Sequence, residues 1–206
     1  MMSRFLALLL AGIAATTIQA QGPQAVLDRA VADFENGRVA EAAAGFDNVV
    51  TIVPLLAPRL WQRGVTLFYA QRYDDCRAQW EITVKAYPED VENAAWHYAC
   101  VAKLESPAKA RAALLPVAGD TRVPMKEIYE MLRGATSPDA VLKAAGATPA
   151  GQFYAQFYTG LYFDANGDRA RALQAMTAAS AERFAAAGGY MHSAAKIHVT
   201  RLRAGR

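Results

Sequence analysis

The chain is poor in the residues that build metal and redox centres. Its 206 residues hold three histidines and two cysteines. No cluster of His, Cys, Asp and Glu has ligand spacing, so no metal site and no cofactor are expected. No nucleophile elbow or fixed-spacing triad is visible, and no catalytic residue is assigned. The net charge of +3 is too small to imply a nucleic-acid surface. Lysines and arginines do not cluster among the aromatics, as a base-stacking platform would need. Beyond the N-terminus no stretch is long and apolar enough to span a membrane.

The N-terminus reads as a targeting segment. Arg4 supplies a positive start, Phe5 to Ala15 is a short apolar run, and Ile18-Gln19-Ala20 is a cleavage site. Residues 1–20 are therefore expected to be a signal peptide cut before Gln21, and the protein to be exported, periplasmic or secreted. A retained anchor is the alternative. The cleavage site has no cysteine, which excludes lipid attachment there. Export gives Cys76 and Cys100 two readings: a disulfide, or two buried thiols acting as small hydrophobes. The separation of their Cα atoms decides between them.

What the chain does have is a period. From Leu60 to Pro88, apolar residues fall at helical spacing on both sides of a turn at Gln71 and Arg72. Stepping back 34 residues, Pro88 lands on Pro54, Trp80 on Phe46, Cys76 on Ala42, Gly64 on Ala30 and Phe68 on Phe34. Self-similarity at a fixed period marks stacked helical hairpins. Asn36-Gly37 and Asn166-Gly167 punctuate the outer hairpins. Asp90 is placed to cap a helix, and Ser106-Pro107 and Ser137-Pro138 to start others.

The period and the segments Ala42-Ala43-Ala44-Gly45-Phe46…Pro54 and Cys76-Arg77-Ala78-Gln79-Trp80…Pro88 resemble the tetratricopeptide repeat (TPR) family. The first-helix half of the pattern departs from it, with Leu60, Arg63, Gly64 and Leu67 where Trp, Leu, Gly and Tyr are usual. The resemblance implies an all-α, TPR-like helical-hairpin solenoid. Repeats are expected at about 24–54, 58–88, 92–122 and 153–184, with an irregular helical insert over 118–149. A C-terminal capping helix over 190–203 is expected to face water.

Several side chains invite a chemical reading. Arg29, Arg63 and His97 recur at the repeat period in a slot where the family prefers Leu. They could capture a carboxylate, or pair internally with residues such as Asp33, Asp74, Asp75 or Glu81. His97 and Cys100 share a helix face, as a nucleophilic dyad would, but nothing orients them. His192 with Lys196, and His198, read as structural. Asp164-Ala165-Asn166-Gly167-Asp168 lacks the distal Glu of a calcium loop and reads as a repeat turn.

The TPR resemblance implies a non-enzymatic scaffold or adaptor holding a partner protein or peptide. By residue-by-residue match the concave groove is lined by Leu27, Val31 and Phe34, by Trp61, Val65 and Phe68, and by Tyr154, Phe157 and Leu161. Alanines 95, 99 and 102 leave room in its third part. Such an apolar groove is filled either by a partner segment or by the Pro124 to Ala145 insert folding back. The alternatives are a small-ligand binder or enzyme with a site between insert and repeats, and a self-associating structural protein, for instance a homodimer.

Overall fold

The computed structural model describes residues 22–205, and they are all-helical, with no strand among them. The expected signal peptide lies outside the described residues. Four hairpins follow the expected punctuation. Helices α1 (Pro23–Glu35) and α2 (Val39–Ile52) form the first, and α3 (Trp61–Tyr69) and α4 (Tyr73–Ala86) the second. Helices α5 (Val91–Leu104) and α6 (Pro107–Ala112) form the third. Helices α7 (Met125–Arg133) and α8 (Pro138–Ala144) make up the insert. They precede the fourth hairpin, α9 (Pro149–Ala165) and α10 (Arg169–Ala179). A short α11 (Ala185–Gly188) leads into α12 (Tyr190–Arg203). Among the described residues no helix is long and apolar enough to cross a membrane.

Local chemistry explains the boundaries. The Asp90 carboxylate accepts from Glu92 N at 2.9 Å at the start of α5. Ser106, Ser137 and Thr148 cap α6, α8 and α9 in the same way. Gly134 takes the left-handed conformation after α7, with φ 80°. The third hairpin is shorter than its period predicts. Helix α6 ends at Ala112 and leaves Leu114 outside it, because Pro116 forbids another turn. Pro54 ends α2 as expected, but it also opens a tight 3-10 turn, Pro54–Arg59, that reaches α3.

Close helix approach requires glycine at two matching places. A Cβ on Gly64 would lie 2.5 Å from the Trp80 ring, and one on Gly160 2.9 Å from Met176. Each glycine lets the first helix of its hairpin seat against the large residue of the second. Trp80 and Trp96 are both essentially buried and stack at 6.3 Å. Burying a side chain of that size contributes about 3 kcal/mol.

Neighbouring hairpins touch through α2 and α3, and through α4 and α5. Cys76 of α4 and Cys100 of α5 form a disulfide across the second contact, with Cα atoms 6.0 Å apart. Helices α7 and α9 both pack on α5. Helix α12 does more than the expected cap. It packs on α10 of the last hairpin and leaves Lys196, Thr200 and Arg203 exposed, but it also runs back against α1 and α3 and buries Met191, His192, Ala194, Ala195, His198, Val199 and Leu202.

Candidate functional site

The residues expected to line an open groove are mostly interior. Phe34, Val65 and Phe157 are fully buried and Phe68 nearly so, while Leu27, Trp61 and Tyr154 are half-buried. Helix α12 covers much of this surface. The Tyr190 ring stacks on Phe34 at 4.5 Å and meets Trp61 edge-on at 5.4 Å. Further along, His198 lies over Phe68 and edge-on to Tyr69. Phe157 is closed off by Trp96 and Phe153. The insert helices α7 and α8 pack on α5 and α9, the helices that carry the groove positions of the third and fourth hairpins.

Two members of the basic ladder, Arg63 and His97, are engaged internally, and Arg29 stays exposed. The Arg63 guanidinium donates to Asp47 at 2.7 and 3.0 Å and to Gln79 at 2.7 Å. Arg29 lies 3.9 Å from Asp33, whose carboxylate is mainly held by Arg38 at 2.6 Å. His97 is buried 3.6 Å from Glu81, and burial pushes its imidazole down, so it is neutral near pH 7. The three converge on no shared acceptor. Cys100 is bridged, so no thiolate faces His97. The Asp164 to Asp168 stretch is a turn in which Asp168 accepts from Arg171 N at 3.0 Å. Among the described residues no three metal-ligating side chains come together.

One cleft stays open at the N-terminal end of α12. Its volume is about 320 Å³. Trp61 comes from the start of α3, and Tyr154 from the first turns of α9. Tyr190 opens α12, and Tyr87, Asp90 and Glu92 span the α4–α5 junction. Trp80 closes part of the wall. It is 1 % exposed, and its indole N–H has no hydrogen-bond partner. Tyr190 is fixed at its far end by Thr66, whose hydroxyl lies 2.9 Å from the phenol oxygen. Asn93 is held by donating to Tyr87 O at 2.7 Å.

Behind the acidic wall sits Arg122, in the slot where the period would place proline. Its guanidinium donates to Asp90 at 2.5 Å, to Glu92 at 2.6 Å and to Asp120 at 2.6 Å, and lies 5.6 Å from the Tyr154 ring centre. Tyr158 donates to the other oxygen of Glu92. Burial, and then the charge of Asp90, push the Glu92 carboxyl above its usual range despite Arg122 and Tyr158. Burial acts the same way on Asp120, but hydrogen bonds from Arg122 and Val91 outweigh it and hold that carboxyl low.

The sequence singles out Trp61 and Tyr154 as groove residues, and the structure brings them together at this cleft. Tyr190, Glu92 and Arg122 escape that reading. Arg122 sits at a decayed repeat position, and Tyr190 lies far along the chain from the residues it touches. The one local signal was Asp90, as a cap. No protein-family model matches the chain, and no curated protein matches it significantly.

Proposed function

We propose that this protein is a TPR-like helical-hairpin solenoid, exported from the cell, that serves as a non-enzymatic interaction scaffold. Its binding surface is the aromatic cleft at the N-terminal end of α12 rather than the whole length of a groove. One observation carries this reading: α12 buries Phe34 and Phe68 and leaves the Trp61, Tyr154 and Tyr190 edge open. The matched glycine contacts of Gly64 and Gly160 and the recurring Asn-Gly turns support the repeat assignment. The absence of a matching family model leaves that assignment on the residues themselves.

The size of the same cleft favours a second reading, a small-ligand binder. Ligand pockets of roughly 300–1,000 Å³ are usual, and this one is at the lower limit. Its lining comes from the hairpins and from the α11–α12 segment, not from the insert.

The test is capture from the organism's own exported fraction, comparing the wild-type protein with a Trp61→Ala, Tyr154→Ala double variant. Both side chains are half-buried, so the variant should keep its helical circular dichroism. A component retained by the wild type and lost by the folded variant supports the cleft as the binding surface. Equal capture by both removes it.

A further inference from the structure

We infer that the cleft bounded by Trp61, Tyr154 and Tyr190 takes an organic cation, an ammonium group on an apolar body, with Asp90 and Glu92 as its counter-charges. This rests on the cleft being the binding surface proposed above. Ring faces attract cations through their quadrupoles, most strongly where water is excluded. Here aromatic residues from four separate helices edge one cavity, and no lysine or arginine lines it. The wall already accepts a cation: Arg122 lies over Tyr154 within cation–π range.

The charge balance points the same way. Asp90, Glu92 and Asp120 share a single guanidinium, so carboxylates are in excess behind the cleft. A positive ligand would relieve the repulsion between Asp90 and Glu92, which now helps to hold Glu92 above its usual range. An anion has no such partner. The helix end that could have served it, at α5, is answered by the Asp90 carboxylate accepting from Glu92 N.

The ammonium could belong to a free small molecule or project from a partner protein, and two measurements separate these. In the first, the full chain is titrated with choline and with the uncharged isostere in which carbon replaces nitrogen, read by calorimetry and by tryptophan fluorescence. Saturable choline binding, tighter than the isostere by about ten-fold or more, is the expected result. Asp90→Asn and Trp61→Leu should each weaken choline by about ten-fold. Asn still caps a helix, so Asp90→Asn keeps α5 intact, and Trp61→Leu tests the rings with the charges untouched. Equal binding of the isostere, or no saturable choline binding by the folded wild type, overturns the inference.

In the second measurement, choline is added to the capture experiment. Displacement of the captured component identifies a partner's cationic side chain as the source; choline binding without displacement identifies a free small cation. Capture that depends on Trp61 and Tyr154, with no choline binding, keeps the scaffold and rejects the cation.

Discussion

The two ends of helix α12 solve the same packing problem in opposite ways. At its C-terminal end polar groups are matched inside the protein. Tyr69 donates to His198 Nδ1 at 3.1 Å, His198 Nε2 faces Asp164 at 3.4 Å, and Lys103 donates to Asp164 at 2.9 Å. The space among these groups is about 50 Å³, and a separate surface depression of about 540 Å³ runs outside them along Gln71, Lys196, Thr200 and Arg201. At the N-terminal end the aromatic rings stand apart around a cleft of about 320 Å³, and carboxylates outnumber the one guanidinium that holds them. A helix docked over a groove therefore does two jobs along its length. It completes the core where its partners are saturated, and it frames an open cleft where they are not.

The comparison is broken most directly by matched truncations at each end. Phe68 is 3 % exposed and touches Trp96, Tyr73 and His198. Phe68→Ala should cost about 3–5 kcal/mol, the usual range for an emptied aromatic site. Trp61 is only half-buried at the cleft edge, so Trp61→Ala should cost about 1–2 kcal/mol. Urea denaturation of both variants measures the difference. Equal losses would mean that the cleft end is as much core as the closed end.

Helix positions were legible in the sequence because their signals are local. Asn36-Gly37, Asp90, Ser106-Pro107 and Ser137-Pro138 each act within one turn, and the boundaries follow them. That α12 would cover the first two hairpins was not legible. Tyr190 meets Phe34 and Thr66 across most of the chain, and nothing near residue 190 announces that contact. The basic ending of α12 suggested a water-facing cap, yet Arg201 donates to Tyr69 O at 2.5 Å and lies over the Tyr69 ring. The period placed Arg63 and His97 correctly in their helices. It could not show that Asp47, outside the residues weighed as partners, takes the Arg63 guanidinium.

Acid should loosen the closed end first. Burial would raise the Asp164 carboxyl, but the His198 hydrogen bond and the charges of His198 and Lys103 outweigh it and bring it from 3.8 to about 2. Burial keeps His198 itself below its ordinary value, so its charge reaches Asp164 only once acid has protonated it, and near neutral pH Asp164 rests on Lys103 and the imidazole N–H. Both groups bind protons less readily folded than unfolded. Their contribution is complete above about pH 6.5 and is lost as pH falls through the two folded values. For Asp164 alone the loss is at most about 2 kcal/mol, since each pKa unit is worth about 1.4 kcal/mol. Stability measured from pH 7 down to pH 3 should fall, and Asp164→Asn should flatten the acid limb. An unchanged slope in that variant would place the acid sensitivity elsewhere, for example at Asp47, which two arginines hold low against its burial.

The smallest effect lies on the rim of the closed end, at Gln71. Its φ of 60° is left-handed, the only such value at a non-glycine among the described residues. The first and fourth hairpins place Gly37 and Gly167 at the same turn, with φ of 76° and 81°. The hydrogen bonds correspond as well. Gln71 N donates to Phe68 O and Arg72 N to Leu67 O, as Gly37 and Arg38 donate to Phe34 O and Asp33 O. This pattern closes a helix end, and glycine is the residue that enters it without steric cost. A side chain there costs about 1–2 kcal/mol. Gln71→Gly recovers that cost but gives the unfolded chain more freedom, which takes back about 0.4–1 kcal/mol. The net gain should be about 0.5 kcal/mol. Gly37→Ala is the reverse experiment. Its added Cβ would meet nothing within 4 Å, so its loss of about 1 kcal/mol would be backbone strain alone. If Gln71→Gly destabilises the protein instead, the glutamine side chain is a working part of the closed end, and the saturation of polar groups there extends to its rim.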